Sequence, residues 1–281
     1  MGPWLARKIE GWLLEPPRVP EPPALRAGFR SFAECREIVA AQPAWRAALR
    51  ADLQMHTSET DGALPLADMV EAAAAYGYAR VAITDHSKGL AITNGMDEAR
   101  LRRQGEEIAR LNSRRSAPPR ALRSIEMNLS PAGAGDMDDA ALRELDLVLG
   151  AFHSKLRMKE DQTDRYLFAV ANPTVHVLAH PRGRIWNFRL GLAADWGRVA
   201  ERAAEPEKAL EIDAYPDRQE VELLAHVKRA GGRVSIGTDA HNAEELRYLD
   251  IGVAAVITAG IPRERVLNCM SADELVRWAK R

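Results

Sequence analysis

From about residue 50 onward, short apolar runs alternate at steady spacing with segments of helical periodicity, and few folds accept that pattern. The runs ADLQM (51–55), ARVAITD (79–85), RALRSIEMNL (120–129), ELDLVLGAFH (144–153), TVHVLAH (174–180), KALEIDA (208–214) and RVSIGTDAH (233–241) read as strands or strands with their loops. Helices are expected at 66–77, 97–114, 164–172, 195–205 and 218–232, with a short one before 144–153. The remainder reads as helical apart from a break at Gly260 and Pro262. Apolar strands are buried on both faces, as in parallel sheets, and parallel neighbours need a crossover. Seven βα units of this length predict a distorted (βα)7 TIM-like barrel. A doubly wound open sheet is the competing topology.

The first 49 residues are different in kind. MGPWLARKIEGWLL reads as an amphipathic helix with Trp4, Leu5, Ile9, Trp12 and Leu13 on roughly one face, expected to dock on the main body. Residues 15–28 are proline-rich and expected to be extended. Residues 31–49 read as helical with a break at Pro43. The expected division is an extension over 1–49 and a main domain over 50–281. No apolar run reaches the ~18 residues of a membrane helix. Arg7, Lys8 and Glu10 interrupt the N-terminal stretch, so it lacks a signal-peptide core. Two cysteines, Cys35 and Cys269, are too few for a disulfide scaffold or a cysteine zinc module, so a reducing cytoplasm is the expected compartment. A net charge of −1 excludes a bulk basic field for duplex nucleic acid.

The chain has seven histidines. Five fall at or just past the end of an expected strand: His56, His86, His153, His180 and His241. Asp61, Glu126 and Asp239 share that placement. In parallel α/β folds this rim is the catalytic face. His176, at the start of its strand, and His226, in a helix, are read as structural. Imidazole and carboxylate suit Zn, Mn or Fe, and eight donors exceed the four that one tetrahedral zinc takes. A site of two or three divalent ions follows. Three carboxylates give −3 against +4 or +6 from the ions, so the site attracts an anion. Neighbouring metals can clamp the attacking and leaving oxygens of a phosphoester and lower the pKa of bound water.

The segments DLQMHTSETDG (52–62), ITDHS (83–87), IEMN (125–128), FHSK (152–155), LAHP (178–181) and GTDAH (237–241) resemble, in order, the motifs of the PHP (polymerase and histidinol phosphatase) family. The resemblance covers about 230 residues. It implies a distorted seven-stranded βα barrel, a usually trinuclear metal site and phosphoester hydrolysis. HPRGR (180–184), EIDAYPDR (211–218), TDAHNAEELRYLDIGV (238–253) and RVLN (265–268) resemble the C-terminal PHP domain of bacterial family X DNA polymerases. That branch implies 3′–5′ exonuclease or related phosphoesterase activity and a link to DNA repair. Forty-nine preceding residues cannot hold its polymerase domains, so a stand-alone PHP protein is expected. The resemblance assigns His56, Asp61, His86, Glu126, His153, His180, Asp239 and His241 as metal ligands. Gln54 stands where the family's first motif usually has a histidine, although polymerase-type members often share the glutamine. An amide is a weaker ligand than imidazole, which puts full occupancy of one metal position in question.

Lys155, Arg182 and Arg184 lie in rim loops and are expected to hold phosphate. Asp52 and Asp85 are expected to orient imidazoles, though Asp85 could equally cap a turn. Tyr215 and Arg218 either line the pocket or serve a plain loop. Trp186 and Phe188 form a hydrophobic flap or, less favoured, a stacking platform for a base. The arginines of 97–114 read as a solvated helix face. The expected chemistry is attack by a metal-bound hydroxide, with His180 or His241 protonating the leaving oxygen beside Asp239. The expected partner is a phosphorylated small molecule or a single-stranded nucleic-acid 3′ end, acted on by a monomer or homodimer. The alternatives are a degenerate PHP module acting as a binding or accessory protein, favoured by Gln54 alone, and a small-molecule phosphatase of the histidinol-phosphatase type. A metal-dependent amidohydrolase ranks below them, because it needs a carbamylated lysine at a strand end.

Overall fold

The computed structural model describes residues 2–18 and 20–281. Eight strands appear: β1 (Ala51–Met55), β2 (Arg80–Ile83), β3 (Arg120–Arg123), β4 (Glu126–Leu129), β5 (Leu149–Phe152), β6 (Val177–Leu178), β7 (Ala209–Asp213) and β8 (Arg233–Gly237). All pairings among them are parallel, in the orders β1-β2-β3 and β4-β5-β6-β7-β8. The single strand expected over 120–129 is therefore two, broken at Ser124 and Ile125. The break is bridged at once: Glu126 N donates to Asp85 O at 3.2 Å, and Ser87 N donates to Glu126 O at 3.1 Å.

The opposite seam, between β8 and β1, is closed by the backbone and by one side chain. Asp239 N donates to Gln54 O at 3.1 Å and His56 N to Ala240 O at 2.8 Å. Fully buried Asn268 accepts from Ile236 N at 2.8 Å and donates to the carbonyls of Ala51 (2.9 Å) and Ile236 (2.7 Å). These bonds close a distorted TIM-like barrel, and the open doubly wound alternative is excluded.

The helices are α1 (Pro3–Leu14), α2 (Phe32–Ala40), α3 (Pro43–Ala48), α4 (Leu66–Ala74), α5 (Glu98–Arg114), α6 (Asp139–Leu142), α7 (Thr163–Ala171), α8 (Trp196–Ala204), α9 (Val221–Arg229), α10 (Leu249–Ala259) and α11 (Ala272–Ala279). Strand side chains alternate between faces, and this produces two apolar clusters. Met55, Ile83, Met127, Ile212 and Ile236 pack with Val70, Ile108, Tyr166, Val199, Leu224 and Val253 of the helices. Leu53, Ala82, Leu149, Ala151, Val177 and Ala209 form a second cluster with Leu267, Leu275 and Trp278. That cluster lies at the end of the barrel away from the eight candidate ligands.

The N-terminal region departs from expectation. No residue of α1 is buried, and Trp4 and Leu14 are 67% and 84% exposed, so the helix does not dock on the barrel. The extended stretch after it turns at 24–28, and Val19, like Met1, lies outside the described residues. The segment then ties down: Arg30 N donates to Gln219 Oε1 at 2.9 Å and Gln219 Nε2 to Arg30 O at 2.7 Å. The α2 helix, with Cys35 and Val39 buried, packs on α10. Pro43 opens α3, as its break predicted. Among the described residues no helix is long and apolar enough to cross a membrane.

His176 is structural, as read. Its Nδ1 accepts the Val148 N–H at 3.0 Å. Burial, then Lys208 and Lys280, push its imidazolium down to about 4. The unfolded chain takes up this proton near pH 6.5 while the folded chain does so near 4. Stability is therefore intact above that window and falls as pH drops through it, by about 3 kcal/mol in all. In His176→Gln, whose side-chain oxygen can still accept from Val148, this part of the acid sensitivity should vanish. Denaturant unfolding of both proteins at pH 7 and 4.5 reads the difference, and equal pH slopes would refute the assignment.

Candidate metal centre

Seven of the eight ligand candidates follow the C-terminal ends of strands, and Glu126 stands at the break after β3. His56 follows β1, Asp61 lies in the loop after it, and His86 follows β2. Glu126 opens β4, while His153 and His180 follow β5 and β6. Asp239 and His241 follow β8. Their donor atoms converge. His56 Nε2 is 2.9 Å from Asp239 Oδ1 and 3.3 Å from Glu126 Oε2. Glu126 Oε1 meets His153 Nε2 at 2.9 Å and His180 Nε2 at 2.7 Å. Asp61 Oδ2 lies 3.5 Å from both His86 Nε2 and His241 Nε2. The His56 ring packs against both His86 and His241, with centroids 4.5 and 4.3 Å away.

Among the described residues, three groups have donor atoms that all lie within 4.8 Å of one another: His56, Asp61, His86 and His241; His86, Glu126 and His153; and His56, Glu126 and Asp239, with His180 in none of them. Three residues, His56, His86 and Glu126, belong to two groups each. The residues fit divalent cations. His56 Nδ1, His86 Nδ1 and Glu126 Oε2 are buried without a hydrogen-bond partner, and such atoms are costly unless something binds them. Burial would raise the Glu126 carboxyl, but His86, His153 and His180 hold it well below its ordinary value. Burial would lower His180, but Glu126 outweighs it and raises the imidazolium to about 9. The cluster thus carries proton charge where ions would sit. His180 and Asp239 have φ of +27° and +51°, a conformation non-glycine residues adopt rarely and at functional sites.

The supporting contacts differ from those expected. Asp52 accepts from Thr238 N (3.1 Å) and Thr238 Oγ1 (2.7 Å), welding β1 to β8. Asp85 accepts from Thr57 N (2.7 Å) and from the hydroxyls of Thr57 and Thr60, both at 2.6 Å. Both acids fix backbone rather than an imidazole. The ring contact at His153 Nδ1 is instead with Asn128 Oδ1, at 3.2 Å. Gln54 is fully buried and neither amide atom has a partner. It passes Gly237, where a Cβ would come within 2.4 Å of Gln54 Cβ, so glycine is required there.

A cavity of about 240 Å³ opens over the cluster. Arg184 lines it and is buried, with its guanidinium 4.3 Å from the Phe29 ring centroid and bonded to the carbonyls of Ala27 and Gln219. Two expected phosphate ligands are not on the wall. Arg182 turns to Glu222 (3.1 Å) and Glu220 (3.3 Å), and Lys155 is exposed to solvent. Arg189 and Arg218 are on it instead. Arg218 pairs with Asp213 at 3.1 Å and with Asp239. Tyr215 points elsewhere, its hydroxyl donating to Glu245 at 3.1 Å. Trp186 and Phe188 stand at a hairpin tip, 43% and 56% exposed, and do not close the cavity. Glu220 lines the cavity, and nothing in its sequence context marked it.

No family model matches the chain. It is similar to the DNA polymerase/3′-5′ exonuclease PolX of Bacillus subtilis, with 36% identity over 236 residues. That covers 83% of this chain but 41% of the relative's length. It is 30% identical over 241 residues to a probable phosphatase of Citrobacter koseri, covering 81% of this chain and 92% of that one. Among solved structures it resembles histidinol phosphate phosphatase of Lactococcus lactis, crystallised with zinc, L-histidinol and phosphate. The TM-score is 0.56 at 18% identity, over 76% of this chain and 94% of that one, a likeness of fold.

Stripping divalent ions with a chelator should lower the melting temperature by about 5 °C or more, because ligand at ~100 Kd adds ~2.7 kcal/mol and each kcal/mol is worth ~2–4 °C at this size. Adding Zn or Mn back should restore it. The shift should disappear in His56→Ala; a chelator-insensitive wild-type melt would count against the metal centre.

Proposed function

Since the chain belongs to the PHP family and is a hydrolase of phosphoester bonds, we propose that it uses two or three divalent ions, Zn, Mn or Fe, to hydrolyse the terminal phosphodiester of a single-stranded nucleic-acid 3′ end. The ions would be held by His56, Asp61, His86, Glu126, His153, His180, Asp239 and His241. The observation that carries the reading is the three donor groups sharing His56, His86 and Glu126, under a cavity walled by arginine. The likeness to PolX supports the nucleic-acid substrate. In this reading 50–281 form the phosphoesterase domain, and 1–49 are an extension that buttresses it through Phe29 and α2.

Bound ions supply Lewis-acid polarisation of the phosphoryl oxygens and lower the pKa of water. Arg184, held by Phe29 and two carbonyls, presents its guanidinium to a phosphate oxygen without first ordering itself. Burial opposes ionisation of Asp239, but the contact with His56 and then Arg218 hold its carboxyl below the ordinary range. Arg189 adds positive charge on the same wall. The phosphodiester, a monoanion, would therefore be drawn to the cavity mouth by the arginines on its wall.

A second reading, a small-molecule phosphatase, is supported by the fold shared with histidinol phosphate phosphatase and by the modest cavity volume. Metal-loaded protein should shorten 3′-labelled single-stranded oligonucleotides and release phosphate from an arylphosphate. In His241→Ala both activities should fall about 100-fold or more, and Arg184→Ala should chiefly raise KM. Arylphosphate turnover without oligonucleotide shortening would select the phosphatase. Stoichiometric metal with neither activity would sink both readings in favour of a binding module.

A further inference from the structure

Cleaving a phosphoester with an alcohol leaving group calls for a proton on the departing oxygen. The two histidines considered for that task are poorly placed. His180 Nε2 faces Glu126 at 2.7 Å and His241 Nε2 faces Asp61 at 3.5 Å, within the proposed ligand set. A ring nitrogen that holds an ion carries no proton. The other nitrogen of His241 is taken up by the carbonyl of Asp239 at 2.8 Å. Apart from the eight proposed ligands, the ionisable groups on the described cavity wall are Arg184, Arg189, Arg218 and Glu220. Guanidinium does not give up a proton near neutral pH.

Glu220 is the residue immediately before α9 and is 3% exposed. Neither carboxyl oxygen has a hydrogen-bond partner. It lines the cavity near Arg184, while Arg182, off the wall, brings its Nη1 to 3.3 Å from Oε2. The charged and titratable groups around it are those two arginines from the loop after β6, Glu222 on α9, Asp213 at the end of β7 and Tyr166 on α7.

We propose that Glu220 is the general acid of the reaction, donating its carboxyl proton to the leaving oxygen. The proposal rests on the phosphoesterase reading. Water oxygen forms the new bond to phosphorus, and the bond from phosphorus to the leaving oxygen breaks with its electron pair on that oxygen. The Glu220 proton then completes the alcohol. Of the two water protons, one stays on the phosphate and the other restores Glu220. Burial pushes the carboxyl up to about 7, against the pull of Arg182 and Arg184. A large share is then protonated at neutral pH, the condition a general acid needs.

The test compares an alkyl phosphate with 4-nitrophenyl phosphate, whose leaving group departs without help, on the full metal-loaded chain. In Glu220→Gln, kcat on the alkyl ester should fall about 100-fold, while turnover of the nitrophenyl ester changes less than about threefold. Glu220→Asp should recover part of the alkyl activity. In the wild type, alkyl-ester activity should decline as pH rises through about 7, and that limb should be missing in Glu220→Gln. Equal losses on both esters, with metal content and melting unchanged, would overturn the assignment while leaving the phosphoesterase reading intact. A wild type inactive on both esters and on 3′-labelled oligonucleotides would overturn that reading and this assignment with it.

Discussion

A carboxylate with no exposed surface stays ionised only if positive charge is built around it. Glu126 is such a group, with imidazoles from the ends of four strands within 3.5 Å: His56, His86, His153 and His180. Those strands must end at one level for the rings to reach it, which fixes the register of β1, β2, β5 and β6. The break between β3 and β4 belongs to the same requirement. By stepping at Ser124 and Ile125, the chain starts a new strand on Glu126 itself and ties it back to Asp85 and Ser87. The discontinuity in the sheet is the device that brings the carboxylate under the rings.

The rim beside this carboxylate bears strain. Asp239 and His180 hold positive φ, each at a cost of about 1–3 kcal/mol. The surroundings leave them little choice. Asp239 N is held by Gln54 O, next to the Asp52–Thr238 weld, and Asn268 pins the ends of β1 and β8 below. The His180 amide is held by Glu211 Oε2 at 3.0 Å. Rigid closure of the barrel and a strained, functional rim are thus two sides of one arrangement.

The repeat of apolar runs and helical segments made the barrel legible in the sequence. The eight candidate ligands were legible because strand ends can be located from the runs that precede them. Directions of long side chains were not. Arg182 follows His180 by two residues, yet its guanidinium goes to Glu220 and Glu222, some forty positions away in the chain. Arg189 and Glu220 reach the cavity through a hairpin and a helix start that periodicity cannot orient. The break within RALRSIEMNL is invisible because both halves have strand character. Amphipathicity in α1 marks a face suited to burial but supplies no surface to bury it against, and Trp4 and Leu14 are exposed.

The other buried acids near the donor cluster are not alike, and burial and their neighbours decide how far each is shifted. Glu211 is fully buried, burial pushes its carboxyl well above the ordinary range, and its Oε2 accepts from the His180 amide. Asp52 is pushed up to about 7 by burial, although Thr238 pulls it down. Asp213 is raised to about 6, again by burial, with Arg218 opposing. Had these acids carried full charge beside Glu126, Asp61 and Asp239, the region would hold up to −6, matching the charge of three divalent ions. Desolvation instead separates the acids into a set kept ionised by imidazole and arginine and a set shifted toward the neutral form. The arginines Arg184, Arg189 and Arg218 on the cavity wall supply positive charge for an anion to meet.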